Sequence, residues 1–380
     1  MGRFPTQKAY GVTTNGTIQS LMRLGHKVTV FSIESPDNKA FQSHLEIVNY
    51  KETFIGKTLK VIAFRSFSSW SITCWKMYWK LMRMINTPKI RSYKFDIVWI
   101  RNEEMLKWKH NGIKVICELH QKINVRKLNS TLTGINSKKI ILAPISKVLV
   151  QQVESLKEEF SIVYSPMGIN SMQIASDRQL SSFMDRIENY KNCTSEKIRV
   201  GYVGKFFPNG YSKGMEDLIY LALMNKESRR RFSVSISGGS KKEILEVLSI
   251  MHSLDLSEND LEVNPHVPHT DALKKMQNLD VIVLPKPNSE NYVGFPLKCI
   301  EAVASARIVV AANCQIYRDI FESNYAPYWY EPGNPSSLES SINSALEDPK
   351  LHQKISDGVK FAHKFTWDLR TSRLIGNHKS

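Results

Sequence analysis

The sequence predicts an α/β protein built from two doubly wound domains. Three observations carry this. At 380 residues the chain is longer than one ordinary hydrophobic core fills. Short runs rich in Val and Ile recur along it, bounded by turn residues. Longer helical stretches stand between several of these runs, and that alternation is the pattern of a parallel sheet covered on both faces.

KVTVFSI at 27–33 is the first run, with LGH at the foot of a helix before it. LKVIAF (59–64), FDIVWI (95–100), IKVICEL (113–119) and KIILAPI (139–145) read as further buried strands, and RNEEMLKWKH (101–110) as a helix between two of them. A second series runs IRVGYVG (198–204), FSVSISGG (232–239), LEVNPHV (261–267), VIVLP (281–285) and RIVVAA (307–312). Its helices are MEDLIYLALM (215–224), KKEILEVLSIMHSL (241–254), TDALKKMQ (270–277) and PLKCIEAVAS (296–305). Residues 171–197 are polar, carry no strand signal and read as a linker. FTWDLRTSRLIGNHKS reads as a helix outside both sheets. The expected organisation is a first domain over 1–170, a linker over 171–197, a second domain over 198–364 and a closing helix over 365–380. Because RFPTQKAYGVTTNG reads as a strand-end loop entering a helix, the first strand is expected either to be supplied by very few residues or to be missing.

Composition narrows the function classes. The net charge is +16, and residues 1–170 hold 26 Lys and Arg against 11 Asp and Glu, so +15 of it sits on one half. That half favours an anionic partner such as a membrane surface, a phosphorylated acceptor or nucleic acid. No RNP, KH or helix-turn-helix pattern accompanies the charge, so nucleic acid is not expected. Cys74, Cys117, Cys193, Cys299 and Cys314 are scattered without CxxC spacing, which suggests neither a disulfide framework nor a zinc site. No apolar run approaches the ~20 residues of a membrane span, and no secretory leader opens the chain, so a cytoplasmic protein is expected. Residues 70–86, WSITCWKMYWKLMRMIN, set Lys76, Lys80 and Arg83 at helical spacing beside an aromatic face. Two readings fit them: a helix at the inner leaflet of an anionic membrane, or an amphipathic helix packed on the domain.

The chemistry concentrates in two stretches. In GYVGKFFPNGYSKGMEDL (201–218) a strand ends at Gly204-Lys205, and Lys213-Gly214 opens a helix. A Gly-rich strand-to-helix turn offers backbone amides and a positive helix end to an anion, and edge lysines add charge. The other reading is two solvated surface lysines. Neither GxxxxGK[ST] nor GxGxxG is present, so an NTPase or a dinucleotide enzyme is not supported. In GFPLKCIEAVAS (294–305) the backbone from Gly294 to Leu297 suits a second anion or a sugar hydroxyl, and Glu301 suits a ribose diol, as carboxylates downstream of phosphate-binding turns do elsewhere. In isolation Glu301 reads as an ordinary surface carboxylate.

In order and spacing these stretches resemble the GT-B-fold glycosyltransferases of family four, the glycosyl transferases group 1, which are retaining and nucleotide-sugar dependent. Gly11-Val12 followed by LGHKVTVFS is similar to the family's opening glycine loop and strand. ELH (118–120), ISK (145–147) and YSPMGIN (164–170) resemble its acceptor-side histidine, a helix start and its nGiD segment. GYVGKF…SKG is similar to its diphosphate motif, with Lys205 in place of an arginine. SISGG, NPHVPH and DVIVLP resemble its nucleotide-domain strands, FPLKCIEAVAS its E-x7-E region and FTWDLR its C-terminal helix. The chain departs from the family where the first Glu of E-x7-E falls on Val293, with Glu290 three residues early, and where Ala306 and Ile308 replace Gly and Pro.

The resemblance implies two Rossmann-like domains with a cleft between them. It implies transfer of a hexose from a UDP- or GDP-sugar to a glycan, lipid-linked or cell-envelope acceptor, as in polysaccharide assembly. It gives catalytic roles to His120, Lys205 and Lys213: the lysines meet the departing diphosphate, and His120 lies near sugar and acceptor, although from the residues alone His120 equally caps a strand end. It gives donor binding to Gly11, Gly204, Gly238, Gly239, His266, Gly294, Phe295, Pro296, Leu297 and Glu301. No metal and no separate cofactor are expected. Val293 motivates an alternative, a catalytically silent nucleotide-sugar-binding or membrane-associated scaffold.

Overall fold

A computed structural model describes residues 9–32, 46–49, 96–101, 103, 106, 113–192, 196–207, 212–228, 232–286, 293–321 and 325–376. The strand expected at 59–64, the helix at 70–86, most of that at 101–110, and Glu290 lie outside them.

The chain divides into two compact units. The first comprises Met1–Met167, Val293–Phe295 and Asp368–Ser380. Its described elements are helix α1 (Ala9–Arg23), strands β1 (Thr29–Ser32), β2 (Glu46–Asn49), β3 (Ile97–Ile100) and β4 (Lys114–Leu119), helix α2 (Val125–Leu132), strand β5 (Ile140–Pro144), helix α3 (Lys147–Val153) and the short strand β6 (Ser161–Ile162). β1 and β2 form a parallel pair, and β3-β4-β5-β6 form a second, all-parallel sheet. Val115, Ile116, Cys117, Glu118 and Leu119 of β4 are all buried, as expected of a strand covered on both faces. Asn124 caps α2 and Ser146 caps α3, each accepting a backbone N–H within the first turn.

The second unit comprises Gly168–Tyr292 and Pro296–Trp367. Helix α4 (Asp177–Asn192) precedes strand β7 (Ile198–Val203), helix α5 (Met215–Ser228), strand β8 (Phe232–Gly239), helix α6 (Lys241–Ser253), strand β9 (Leu261–Pro265), helix α7 (His269–Gln277) and strand β10 (Val281–Leu284). Helix α8 (Leu297–Ala304), strand β11 (Ile308–Ala312), the short helix α9 (Gln315–Arg318), strand β12 (Tyr328–Tyr330) and helices α10 (Pro335–Glu347) and α11 (Leu351–His363) follow. Helix α12 (Trp367–Ile375) then places all but its first residue in the first unit. The six strands are parallel in the order β12-β11-β10-β7-β8-β9. Numbered within the unit this is 6-5-4-1-2-3, the doubly wound order whose direction reverses between β7 and β10.

The stretch 171–197, expected as a linker, carries α4 instead. Leu180, Phe183 and Ile187 of α4 are buried at helical spacing, and its Arg186 donates to both oxygens of Asp280 at 2.8 and 3.0 Å. Its polarity belongs to its outer face, and three apolar residues suffice to dock it. β2, β6 and β12 were not foreseen, being only four, two and three residues long. Ala306, where a glycine was expected, has φ 53, the left-handed conformation that favours glycine just past a helix end.

Candidate functional site

In the second unit the site is built where the sheet order reverses. The order reverses between β7 and β10, and the carboxyl ends of the strands at such a switch point are where doubly wound sheets bind ligands. Gly204 and Lys205 leave β7. Phe206 then turns inward and is fully buried, and its carbonyl accepts the Lys213 N–H at 2.9 Å. That bond brings Lys213 back to the end of β7. Ser212 fixes the entry to α5: its Oγ accepts from Gly214 N at 3.0 Å and donates to Glu216 Oε2 at 2.8 Å. Gly214 has φ +80, and a Cβ on it would lie 2.7 Å from the Lys286 carbonyl beyond β10. Only glycine allows this close approach of the two loops. Asp217, in the first turn of α5, accepts from Tyr330 Oη at 2.6 Å and from Gly333 N at 3.0 Å, so the helix start is tied to the edge strand.

Lys213 is half-buried, and burial lowers its pKa to about 8, a shift that neighbouring Cys299 and Cys314 oppose. Lys205 is exposed. The β7 loop is further held by Glu243 on α6, which accepts from Phe207 N at 2.9 Å and from Ser240 N at 2.6 Å. Gly238 and Gly239 end β8. A Cβ on Gly238, at φ +125, would collide with the Gly204 carbonyl, so β7 and β8 close up beside the loop. His266 sits exposed at the end of β9, its N–H bonded to the Gly239 carbonyl at 2.9 Å. Gly204, Lys205, Lys213, Gly238, Gly239 and His266 therefore gather at the carboxyl ends of β7, β8 and β9.

Glu301 is not a surface carboxylate. It is 3% exposed inside α8. Its Oε1 lies 2.6 Å from His269 Nε2, at the start of α7, and its Oε2 lies 2.9 Å from Lys298 Nζ. Oε2 is buried against the Lys298 ammonium. Burial raises the carboxyl pKa, but Lys298 and His269 more than offset it and hold it at about 2. Pro296 and Leu297 open α8. Gly294 and Phe295 cluster with the first unit, and Val293, which stands where a glutamate was sought, gives its carbonyl to Ser146 Oγ at 2.6 Å.

The first unit holds the other candidate, His120, just past β4. Gly11 lies buried in α1 rather than in the loop expected for it. The surroundings of His120 were not anticipated. Glu118, two residues before it, is 1% exposed. Its Oε2 lies 2.7 Å from His120 Nε2 and accepts from Arg101 Nε at 2.5 Å. Its Oε1 accepts from Trp99 Nε1 at 3.0 Å and from Arg370 Nη2, on α12, at 2.7 Å. Arg101 also donates to Thr14 and Thr13 of α1 at 2.7 and 3.1 Å. Burial raises the Glu118 pKa, and Arg101, Arg370 and His120 together bring it well below the ordinary carboxylate value. Burial and then Arg101 lower the pKa of His120, against the pull of Glu118.

The sequence reading missed Glu118, Arg101, Arg370, His269, Lys298 and Glu243. ELH, NPHVPH and FPLKCIEAVAS carried Glu118, His269 and Lys298 in plain view. The two arginines are joined to Glu118 across 17 and 252 residues, which local pattern does not reveal. Among the described residues no cluster of His, Cys, Asp and Glu is placed to hold a metal ion, and no helix is long and apolar enough to cross a membrane.

Residues 184–360 match the family model described as glycosyl transferases group 1. Over 87 residues the chain is 29% identical to the N,N'-diacetylbacillosaminyl-diphospho-undecaprenol alpha-1,3-N-acetylgalactosaminyltransferase of Campylobacter jejuni, a match covering 23% of this chain and 22% of that protein. Among solved structures, a glycosyltransferase from Rickettsia africae is similar with a TM-score of 0.63 and 18% identity, covering 97% of this chain and 96% of that one. Anabaena HepE in complex with UDP-glucose is similar with a TM-score of 0.57 and 13% identity, covering 88% and 91%. At these identities the structures share the fold.

Proposed function

We infer, for a chain with the GT-B fold whose residues 184–360 match the model of the glycosyl transferases group 1, that it is a retaining glycosyltransferase moving a hexose from a UDP- or GDP-sugar to a lipid-linked or glycan acceptor. The observation that carries this is the Lys213-Gly214 loop, folded back onto the end of β7 where the sheet order reverses. A desolvated ammonium at the mouth of a helix suits a diphosphate whose charge grows as the sugar leaves. The fold neighbour solved with UDP-glucose supports a nucleotide-sugar donor. The Campylobacter relative, named for a diphospho-undecaprenol substrate, supports a lipid-linked acceptor.

In the proposed reaction the bond between the anomeric carbon and the diphosphate oxygen breaks. The acceptor oxygen bonds to the same face of the oxocarbenium-like sugar, and its proton passes to the departing diphosphate. Lys213 and Lys205 meet the growing phosphate charge, so the step needs no bound metal. Glu301 takes the ribose hydroxyls, with the flexible Lys298 ammonium free to yield to them, and Gly238, Gly239 and His266 face the base through main-chain groups. The basic first half and residues 70–86, which lie outside the described residues, suit a peripheral position at the inner leaflet, where a lipid-linked acceptor resides.

Calorimetric titration with UDP and GDP, followed by donor-turnover assays with lipid-linked acceptors, tests the reading. Nucleotide binding with sugar transfer is expected, and a well-folded chain that binds neither nucleotide would end it. Val293 favours a second reading, a nucleotide-sugar binder without turnover. Binding with neither transfer nor donor hydrolysis would select that one.

A further inference from the structure

We propose that Glu118 is a positioning residue that locks His120 in its Nε2–H tautomer and leaves Nδ1 as a bare acceptor for a carbohydrate hydroxyl. The inference rests on the proposed glycosyl transfer only for the identity of that hydroxyl; the lock follows from the geometry.

An ionised carboxylate only accepts hydrogen bonds. Glu118 is surrounded by donors: Arg370 and Trp99 on Oε1, and Arg101 on Oε2. Two guanidiniums against one buried carboxylate keep it ionised. The remaining approach to Oε2, at 2.7 Å, belongs to His120 Nε2. A bare ring nitrogen there would set two acceptors against each other, so the hydrogen sits on Nε2. A neutral imidazole carries one N–H, and Nδ1 is therefore left with its lone pair.

Burial, and after it Arg101, keeps the ring neutral near pH 7 against the pull of Glu118. Glu118 stands on the same strand, Arg101 beyond β3 and Arg370 on α12; burial and Arg101 lower the His120 pKa from its ordinary 6.5. No described group pairs with Nδ1. A quarter of the His120 side chain remains accessible while that of Glu118 has no accessible surface. The ring thus has one nitrogen committed to the protein interior and one available to an incoming donor. A sugar hydroxyl is such a donor, and once bonded to Nδ1 its oxygen is held in one orientation, as positioning catalysis requires.

The test labels the full chain with ¹⁵N-histidine and reads the His120 tautomer from two-bond ¹H–¹⁵N correlations, with His120→Gln assigning the signal. The wild-type ring is expected as the Nε2–H tautomer at neutral pH, titrating below 6.5. In Glu118→Gln the tautomers should mix, and kcat should fall roughly tenfold to a hundredfold, the loss expected when a buried hydrogen-bonded group is misaligned. A wild-type ring protonated on Nδ1 overturns the proposal, as does a Glu118→Gln ring that keeps the Nε2–H tautomer and full kcat. The wild-type measurement needs no variant, so a Glu118→Gln chain that fails to fold does not rescue a wrong tautomer. The spectrum is read without donor or acceptor, so failure of the lock and failure of glycosyl transfer are separately visible.

Discussion

Each unit of the molecule buries a glutamate against a histidine, and the two pairs differ in what is left over. Glu118 and Glu301 lie 2.7 and 2.6 Å from the Nε2 atoms of His120 and His269. Around Glu118 both oxygens are saturated by rigid planar donors drawn from three separate segments. Around Glu301 one oxygen has the histidine, and the other has only the flexible ammonium of Lys298, at 2.9 Å. A saturated carboxylate has no capacity for a ligand and serves to hold its neighbours. A carboxylate held by a movable cation can exchange that partner for a hydroxyl. Identical side chains thus divide into a brace and a binder by the stiffness of their partners.

Removing the brace should give the largest effect. Glu118→Ala leaves two buried guanidiniums uncompensated and is expected to cost about 3–5 kcal/mol; Glu301→Ala, with its cation free to turn toward water, should cost well under half of that. Urea unfolding of both variants makes the measurement, and equal losses would erase the distinction. The sign of the acid dependence follows from the lowered Glu118 pKa: its contribution is complete above the ordinary carboxylate value of 4.5 and is lost as pH falls below it.

Lys213→Ala comes next. Loss of a charge-assisted bond from a half-buried site is worth about 1.5–3 kcal/mol, so calorimetry should show affinity for a nucleoside diphosphate falling tenfold or more. Because burial lowers the Lys213 pKa to about 8, wild-type affinity should decline as pH rises through 8, with protons taken up on binding at the same pH. Stability of the ligand-free chain carries the opposite sign. A lysine whose folded pKa is depressed below its ordinary 10.5 opposes folding at low pH, and that opposition is relieved as pH rises through 8 toward 10.5.

Glu301→Gln sharpens the comparison further. The amide preserves shape and removes one acceptor, so affinity for UDP should fall by about 1 kcal/mol, roughly fivefold, while affinity for inorganic pyrophosphate, which has no ribose, should not fall. Equal losses for both ligands would mean that Glu301 acts through phosphate rather than through sugar hydroxyls.

The strands of the second unit were legible because VIVL and IVVAA are apolar throughout, as a doubly covered parallel strand must be. The Lys213-Gly214 loop was legible because a left-handed glycine at a helix mouth is a local requirement, visible in adjacent letters. The linker over 171–197 was misread because α4 docks with three apolar residues in sixteen, a pattern its many charges obscure. The brace around Glu118 was invisible for another reason. It is assembled from α1, β4, the end of β3 and α12, and nothing in the letters around Arg370 states that its guanidinium reaches a carboxylate 252 residues away. Local backbone demands are written locally, whereas compensation of a buried charge is written wherever the fold brings a partner.

Burial likewise separates the two lysines of the β7 loop. Lys205 and Lys213 read alike in the sequence, yet Lys205 is exposed whereas Lys213 is half-buried. An exposed ammonium acts through water and mobile ions and contributes about 0.2–1 kcal/mol, so Lys205→Ala should weaken diphosphate binding no more than about fivefold. That small loss should shrink further at high salt, where screening shortens the reach of a solvated charge to a few ångströms. The Lys213→Ala loss should persist there, because its ammonium is partly withdrawn from the solvent that carries the screening ions. Titrations at low and high ionic strength therefore test burial itself: if both variants lose affinity in the same proportion at each salt concentration, the two lysines share one environment and the half-buried cation is not the group that holds the phosphate.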